Sequence, residues 1–104
     1  MTPSETRFGV RELDLQRGCL HLTAPDFDYD SFARVAQSLV HVLDAVVVEQ
    51  ETNADLHVWL IDFEGCRLLL KGEHYSASLW LESLSQEDNE TLQFLADWLK
   101  KLTQ

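Results

Sequence analysis

Basic side chains are scarce in this chain. Eight Lys and Arg stand against 18 Asp and Glu, a net charge of -10 over 104 residues. Phosphate is repelled by such a surface, which argues against wrapping nucleic acid and equally against adsorption to anionic lipid. Cysteine is scarce too. Cys19 and Cys66 are too few for a disulfide scaffold, and buried free thiols are the simpler reading. No apolar run is long enough to cross a bilayer, and Met1 to Arg7 lacks the apolar core of a signal peptide. A soluble cytoplasmic protein is therefore expected. The motifs that specify reactions are missing as well: there is no Gly-rich phosphate loop, no GxSxG and no HExxH. Without repeat, linker or low-complexity tract, one domain spanning 1–104 is expected.

What is present is ordinary globular material, 45% hydrophobic and 25% charged. A chain of this length buries roughly two thirds of the surface its unfolded form exposes, enough for a core without staples. Val10 to Ala24 reads as a hairpin, with Leu13 and Leu15 before the turn Gln16-Arg17-Gly18 and Leu20 and Leu22 after it. Gly18 supplies the positive φ of a short loop, and Pro25 ends the second strand. A helix is predicted near Tyr29 to Leu43, because Phe32, Val35, Ala36, Leu39, Val40 and Leu43 recur at helical spacing. Asp28 or Asp30 can cap it. The β-branched run Ala45 to Val48 opens a strand reaching about Glu51. A last helix follows Ser85, with Leu92, Leu95, Ala96, Leu99 and Leu102 as its stripe, widened by Phe94 and Trp98.

Between these helices lie three strands that are apolar on both faces: His57 to Phe63, Cys66 to Lys71 and Tyr75 to Glu82. If Glu64-Gly65 is a two-residue loop, Phe63 faces Cys66, Ile61 faces Leu68 and Asp62 faces Arg67 as a cross-strand ion pair. One face then carries His57, Trp59, Ile61, Phe63, Cys66, Leu68, Leu70, Tyr75, Ala77, Leu79 and Leu81. The other carries Val58, Leu60, Leu69 and Trp80, rimmed by Asp62, Arg67, Lys71 and Glu82. An apolar centre with a charged rim has the anatomy of an interface. A one-residue slip at Gly65, or a hairpin folded over the face, would break the patch up. The expected fold is α+β: a two-layer sandwich, a largely antiparallel sheet in the order ββ-α-ββββ-α with both helices on one face.

Candidate chemistry is thin. Asp26, Asp28 and Asp30 alternate like a calcium loop, but the positions that need Gly and Glu hold Ser31 and Gln37, so helix capping is the stronger reading. Cys19 and His21 share a strand face, and so do His57 and Cys66, yet no CxxC or HxxxH pair announces the four donors of tetrahedral zinc. No base is placed beside either thiol, as nucleophilic catalysis requires. His74, in a turn beside Glu73, reads as solvated. No cofactor, metal or catalytic residue is expected.

Three segments, Leu13-Asp14-Leu15-Gln16-Arg17-Gly18, His57-Val58-Trp59-Leu60-Ile61-Asp62-Phe63-Glu64-Gly65 and Phe94-Leu95-Ala96-Asp97-Trp98-Leu99, give the chain a pattern that resembles a family of small uncharacterised gammaproteobacterial proteins, a domain of unknown function. The resemblance implies a bacterial cytosolic protein with no assigned activity. No functional residue is carried over from it. The residues themselves point to a non-enzymatic protein-interaction module, most simply a homodimer through Val58, Leu60, Leu69 and Trp80. One alternative is an acidic adaptor or inhibitor that meets a basic partner through Asp26, Asp28 and Asp30 or through Glu87, Asp88 and Glu90. Another is a small enzyme or ligand binder with a cleft between helix and sheet, using Cys66 or His57.

Overall fold

The structure is a computed structural model that describes residues 8–53 and 55–102. The alternating segments become β1 (Gly9–Asp14), β2 (Cys19–Thr23), β3 (Val46–Thr52), β4 (Leu56–Phe63), β5 (Cys66–Glu73) and β6 (Ser78–Ser83). The helices are α1 (Phe32–Leu43) and α2 (Asn89–Leu102), the latter entered through a 3-10 turn at Gln86–Asp88. The chain order is ββ-α-ββββ-α, an α+β fold. All neighbouring strands are antiparallel, and the sheet order is β1-β2-β6-β5-β4-β3. The first hairpin thus extends the sheet beside β6.

The turn at Glu64-Gly65 fixes the central register. Both residues take positive φ, 51° and 89°, the twist a two-residue hairpin needs, and glycine makes the second inexpensive. The Asp62 carboxylate accepts the Gly65 N–H at 2.8 Å and tightens the turn. Phe63 consequently pairs with Cys66, Asp62 with Arg67, Leu60 with Leu69 and Val58 with Lys71.

The next turn lies later than its sequence suggests. Gly72 reads as a turn residue but sits inside β5, opposite His57 and Leu79. Its missing side chain makes room for Phe32: a Cβ there would stand 2.8 Å from the Phe32 Cδ1 and closer still to Cε1. The chain turns instead over residues 74–77, with Ala77 at positive φ. Glu73 organises this turn. Its carboxylate accepts the Tyr75 and Ser76 N–H groups, each at 3.1 Å, and the Ser76 hydroxyl. Those bonds, the Ser76 side-chain bond foremost, hold the Glu73 carboxyl below its usual range. Tyr75 is accordingly no core strand residue; it stands 76% exposed in the turn.

Local hydrogen bonds mark both ends of α1, although its N-cap is Ser31, with no side-chain cap bond, rather than Asp28 or Asp30. The Asp28 carboxylate accepts the Ser31 N–H at 2.8 Å and the Ser31 hydroxyl accepts the Asp28 N–H at 2.9 Å, a reciprocal box at the turn that leads into the helix. At the other end Asp44 takes the left-handed conformation, and the Ala45 N–H reaches back to the Val40 carbonyl at 3.0 Å. Every residue of the expected α1 stripe is buried. In α2, Leu92, Leu95, Ala96 and Leu99 are buried and Trp98 packs at the core margin, but Phe94 is 55% exposed and lies outside the core.

These helix residues form one buried cluster with Leu20, Leu22, Trp59, Ile61, Phe63, Leu68, Leu70, Leu79 and Leu81. The strand members are cross-strand neighbours of one another, so they mark one face of the sheet. α1 packs by β4, while α2 packs by β1, β2 and β6.

Candidate functional site

The second face of the sheet follows from the same registers. Along one row stand Glu51, Val58, Lys71, Trp80, His21 and Glu12, from β3 across to β1. The adjacent row holds Glu49, Leu60, Leu69, Glu82, Cys19 and Asp14. Asp62 and Arg67 stand beyond Leu60 and Leu69. Val58, Leu60, Leu69 and Trp80 are each partly exposed. None of the four belongs to the core cluster, nor to the half-buried apolar residues packed against it.

The chemistry of this face is more structured than an apolar centre with a rim. Lys71 stands between Val58 and Trp80, and its Nζ meets the Glu82 carboxylate at 3.0 Å. The Trp80 Nε1–H donates to the same carboxylate at 3.4 Å. An ion pair therefore crosses the patch, with the aliphatic stem of Lys71 bridging the apolar groups on either side. Trp80 leans on His21 across the β2–β6 boundary, ring centres 6.0 Å apart. Arg67 pairs with Asp62 at 3.7 Å. Both bases of the face are thus already partnered. The sheet margins are acidic: Glu49 and Glu51 on β3, Glu12 and Asp14 on β1. The two margins lie roughly 24 Å apart, five strand spacings of about 4.8 Å.

Of the acids singled out at the helix starts, Asp28 and Asp88 are engaged locally. Asp28 bonds Ser31 in the turn before α1, and the bonds from Ser31, its backbone N–H foremost, hold the carboxyl below its usual range. Asp88 accepts the Ser85 hydroxyl at 3.3 Å, as its spacing from Ser85 suggests. The thiols stand apart from each other. Cys19 lies on the second face beside Glu82, and burial, then the Glu82 and Asp14 carboxylates, push its pKa up. Cys66, at the mouth of a shallow cleft of about 260 Å³ lined by Phe63, Glu64, Glu90, Thr91 and Phe94, is also pushed up, chiefly by burial. Raised thiol pKa values disfavour the thiolate that nucleophilic chemistry needs. His57 sits at the far end of β4 from that cleft: it pairs with Gly72, whereas Cys66 pairs with Phe63. The two do not share a site. His74, expected in solvent, is half-buried with its Nδ1 enclosed.

Sequence reasoning placed Val58, Leu60, Leu69 and Trp80 on one face but not His21, Cys19, Glu12, Asp14, Glu49 or Glu51 beside them. Their alternation was readable. Their neighbours were not, because the pairing of β2 with β6 links segments far apart in the chain. Among the described residues no group of three or more His, Cys, Asp or Glu is disposed to hold a metal ion, and no described helix is long and apolar enough to cross a membrane.

A family model described as "Protein of unknown function (DUF3630)" matches residues 8–100. No curated protein and no solved structure matches the chain.

Proposed function

The chain belongs to the DUF3630 family of unknown function, and from its own surface we propose that it is a non-enzymatic interaction module working through the second face of the sheet. The two helices, on this reading, lie together on the core face in a two-layer arrangement, which leaves the second face for a partner. The observation that carries the proposal is the placement of Val58, Leu60, Leu69 and Trp80 outside the core cluster on adjacent strands. The free, partly exposed thiols Cys19 and Cys66 fit a reducing compartment, so the cytoplasm is the proposed location.

Charge selects the occupant. The face carries the carboxylates of Glu12, Asp14, Glu49, Glu51, Asp62, Glu73 and Glu82 against the bases Lys71 and Arg67, with Arg17 beside Asp14 at 3.9 Å. Its complement is a protein segment with an apolar strip flanked by Lys or Arg, spaced to meet the two acidic margins. A second copy of the chain is the competing occupant, favoured by the opposed Leu60 and Leu69 at the middle of the face. It fits less well. Stacking two copies about an in-plane two-fold axis brings β1 over β3, or each edge over its own equivalent, and either way acid meets acid.

The test uses a peptide of alternating Leu and Lys and its Leu–Glu twin, with binding followed through the Trp80 indole N–H resonance and by calorimetry. The Leu–Lys peptide is expected to bind, to weaken as salt is raised, and to be lost in Trp80→Glu and in the double variant Glu49→Lys, Glu51→Lys. Equal binding of the two peptides, or no movement of Trp80, would sink the basic-partner reading. A dimer that strengthens with salt would hand the face to a second copy.

A further inference from the structure

Rings from four segments converge around His57, at the end of the core away from Cys66. The His57 imidazole is 4% exposed and stacks on Phe32 of α1, ring centres 4.3 Å apart and planes 12° from parallel. Tyr29, in the turn before α1, lies 5.3 Å from His57 and 5.5 Å from His74. His74, in the β5–β6 turn, is 5.4 Å from His57, edge on. The Thr52 hydroxyl approaches His57 Nδ1 at 3.4 Å. Among the described residues the remaining nitrogen, Nε2, has no hydrogen-bond partner, and neither has His74 Nδ1; both are closed to solvent.

An imidazole enclosed this way tolerates the neutral form and resists the charged one, because a buried cation needs a counter-charge. None faces it. From α1 and the turn before it come the rings of Phe32 and Tyr29; β3 supplies the neutral Thr52 and β5 the bare Gly72. The β5–β6 turn supplies His74 and Tyr75, itself 4.4 Å from His74. Glu73 spends its carboxylate on the turn amides and acts on its neighbour His74 rather than on His57, and Asp28 spends its own on Ser31. Among the described residues, the group whose charge acts on His57 is His74, which carries the same sign when protonated. A shared metal has little to hold it: two nitrogens are half a tetrahedral donor set, and no third His, Cys, Asp or Glu joins them among the described residues.

We propose that His57 and His74 form an acid-sensitive latch: neutral, they pin the first turn of α1 to the ends of β4 and β5, and protonation releases that turn and uncovers Phe32 and Tyr29. Burial first, then repulsion by His74, sets the His57 pKa below its ordinary 6.5. The unfolded or released segment therefore binds the proton more readily than the latched one. Latch stability is complete above pH 6.5 and falls as pH drops from there towards the latched pKa.

The experiment is a titration of the full chain from about pH 7.5 to about pH 5, reading the histidine ring resonances and the protection of backbone amides, corrected for intrinsic exchange. The His57 midpoint should fall below 6.5. Protection of the Phe32 and Val35 amides, which close the first turn of α1 onto Asp28 and Ser31, should fall with it. The expected loss is about tenfold for each unit of His57 pKa displacement, while Leu95 and Leu99 in α2 keep theirs. His57→Phe retains the stack without the proton and should abolish the acid response. Should that variant not fold, His74→Gln removes the repulsion, and the His57 midpoint should move up. A His57 midpoint at or above the ordinary value overturns the latch. So does α1 protection that ignores the midpoint, or a His57→Phe variant that keeps the same acid response.

Discussion

The two faces of the sheet are built from the same strands and differ in what lies between their apolar side chains. On the core face Trp59, Ile61, Leu68, Leu70, Leu79 and Leu81 belong to one buried apolar cluster. On the second face Val58, Leu60, Leu69 and Trp80 keep partial exposure and are threaded by the Lys71–Glu82 pair. The core face is finished: its contacts are satisfied within the chain. The second face holds comparable hydrophobic material in an arrangement that water still reaches, with acid at both margins. Acids on edge strands also discourage edge-to-edge pairing of sheets, so the acidic margins have a structural use besides any partner. The apolar centre between them has no such explanation, since a monomer's second face is ordinarily polar.

Truncation at matched positions gives the largest expected contrast. Leu81→Ala removes a side chain with no exposure from the middle of the core, and should cost about 2–5 kcal/mol in urea denaturation. Leu69→Ala, one position across the β5–β6 pairing and on the other face, should cost about 1 kcal/mol or less. Equal losses would mean that the second face is covered within the monomer, and would remove the basis for a partner there.

Gly72→Ala probes the core face from the opposite direction. The added methyl enters the space of the Phe32 ring, and overpacking of this kind should destabilise by about 1–3 kcal/mol. The same change should disturb His57, which stacks on that ring, so its resonance should shift along with the loss of stability. A neutral outcome would show that α1 can move away from β5 at small cost.

These contrasts follow how the fold was readable. Alternation in β4 and β5, the Glu64-Gly65 turn and the stripe of α1 each depend on near neighbours in the chain, and each was legible. Gly72 was misleading because glycine has two uses: it permits turns, and it permits close approach. Here Phe32 claims it, while the turn is made by Glu73 and its bonds to Ser76. Tyr75 follows the alternation into the expected core only because the last strand is expected to start three residues before β6 does, at Tyr75 rather than Ser78. Phe94 extended a helical stripe beyond the core it meets. The sheet order and the ring cluster at His57 join residues from distant segments, and no local pattern carries that information. Of the candidate site, the four apolar residues and their rim of Asp62, Arg67, Lys71 and Glu82 were legible, and the acidic margins on β1 and β3 were not.

The smallest expected effect bears most directly on the second face. Lys71 and Glu82 form a partly exposed pair, and a double-mutant cycle with Lys71→Met and Glu82→Gln should give a coupling of about 0.2–1 kcal/mol that fades with salt. Taken alone, Lys71→Met should leave stability nearly unchanged, because its stem already lies over apolar neighbours. It would also join Val58 to Trp80 as one apolar surface and leave Glu82 without its base. A self-associating face should then gain, since the seam between its apolar halves has closed. A face made for a basic partner should also bind the Leu–Lys peptide more tightly, because one more acid is free to meet it, but it should discriminate more strongly against the Leu–Glu twin. A rise in self-association without tighter binding of the Leu–Lys peptide gives the face to a second copy, and the reverse gives it to a basic partner, even where the stability of the monomer hardly moves.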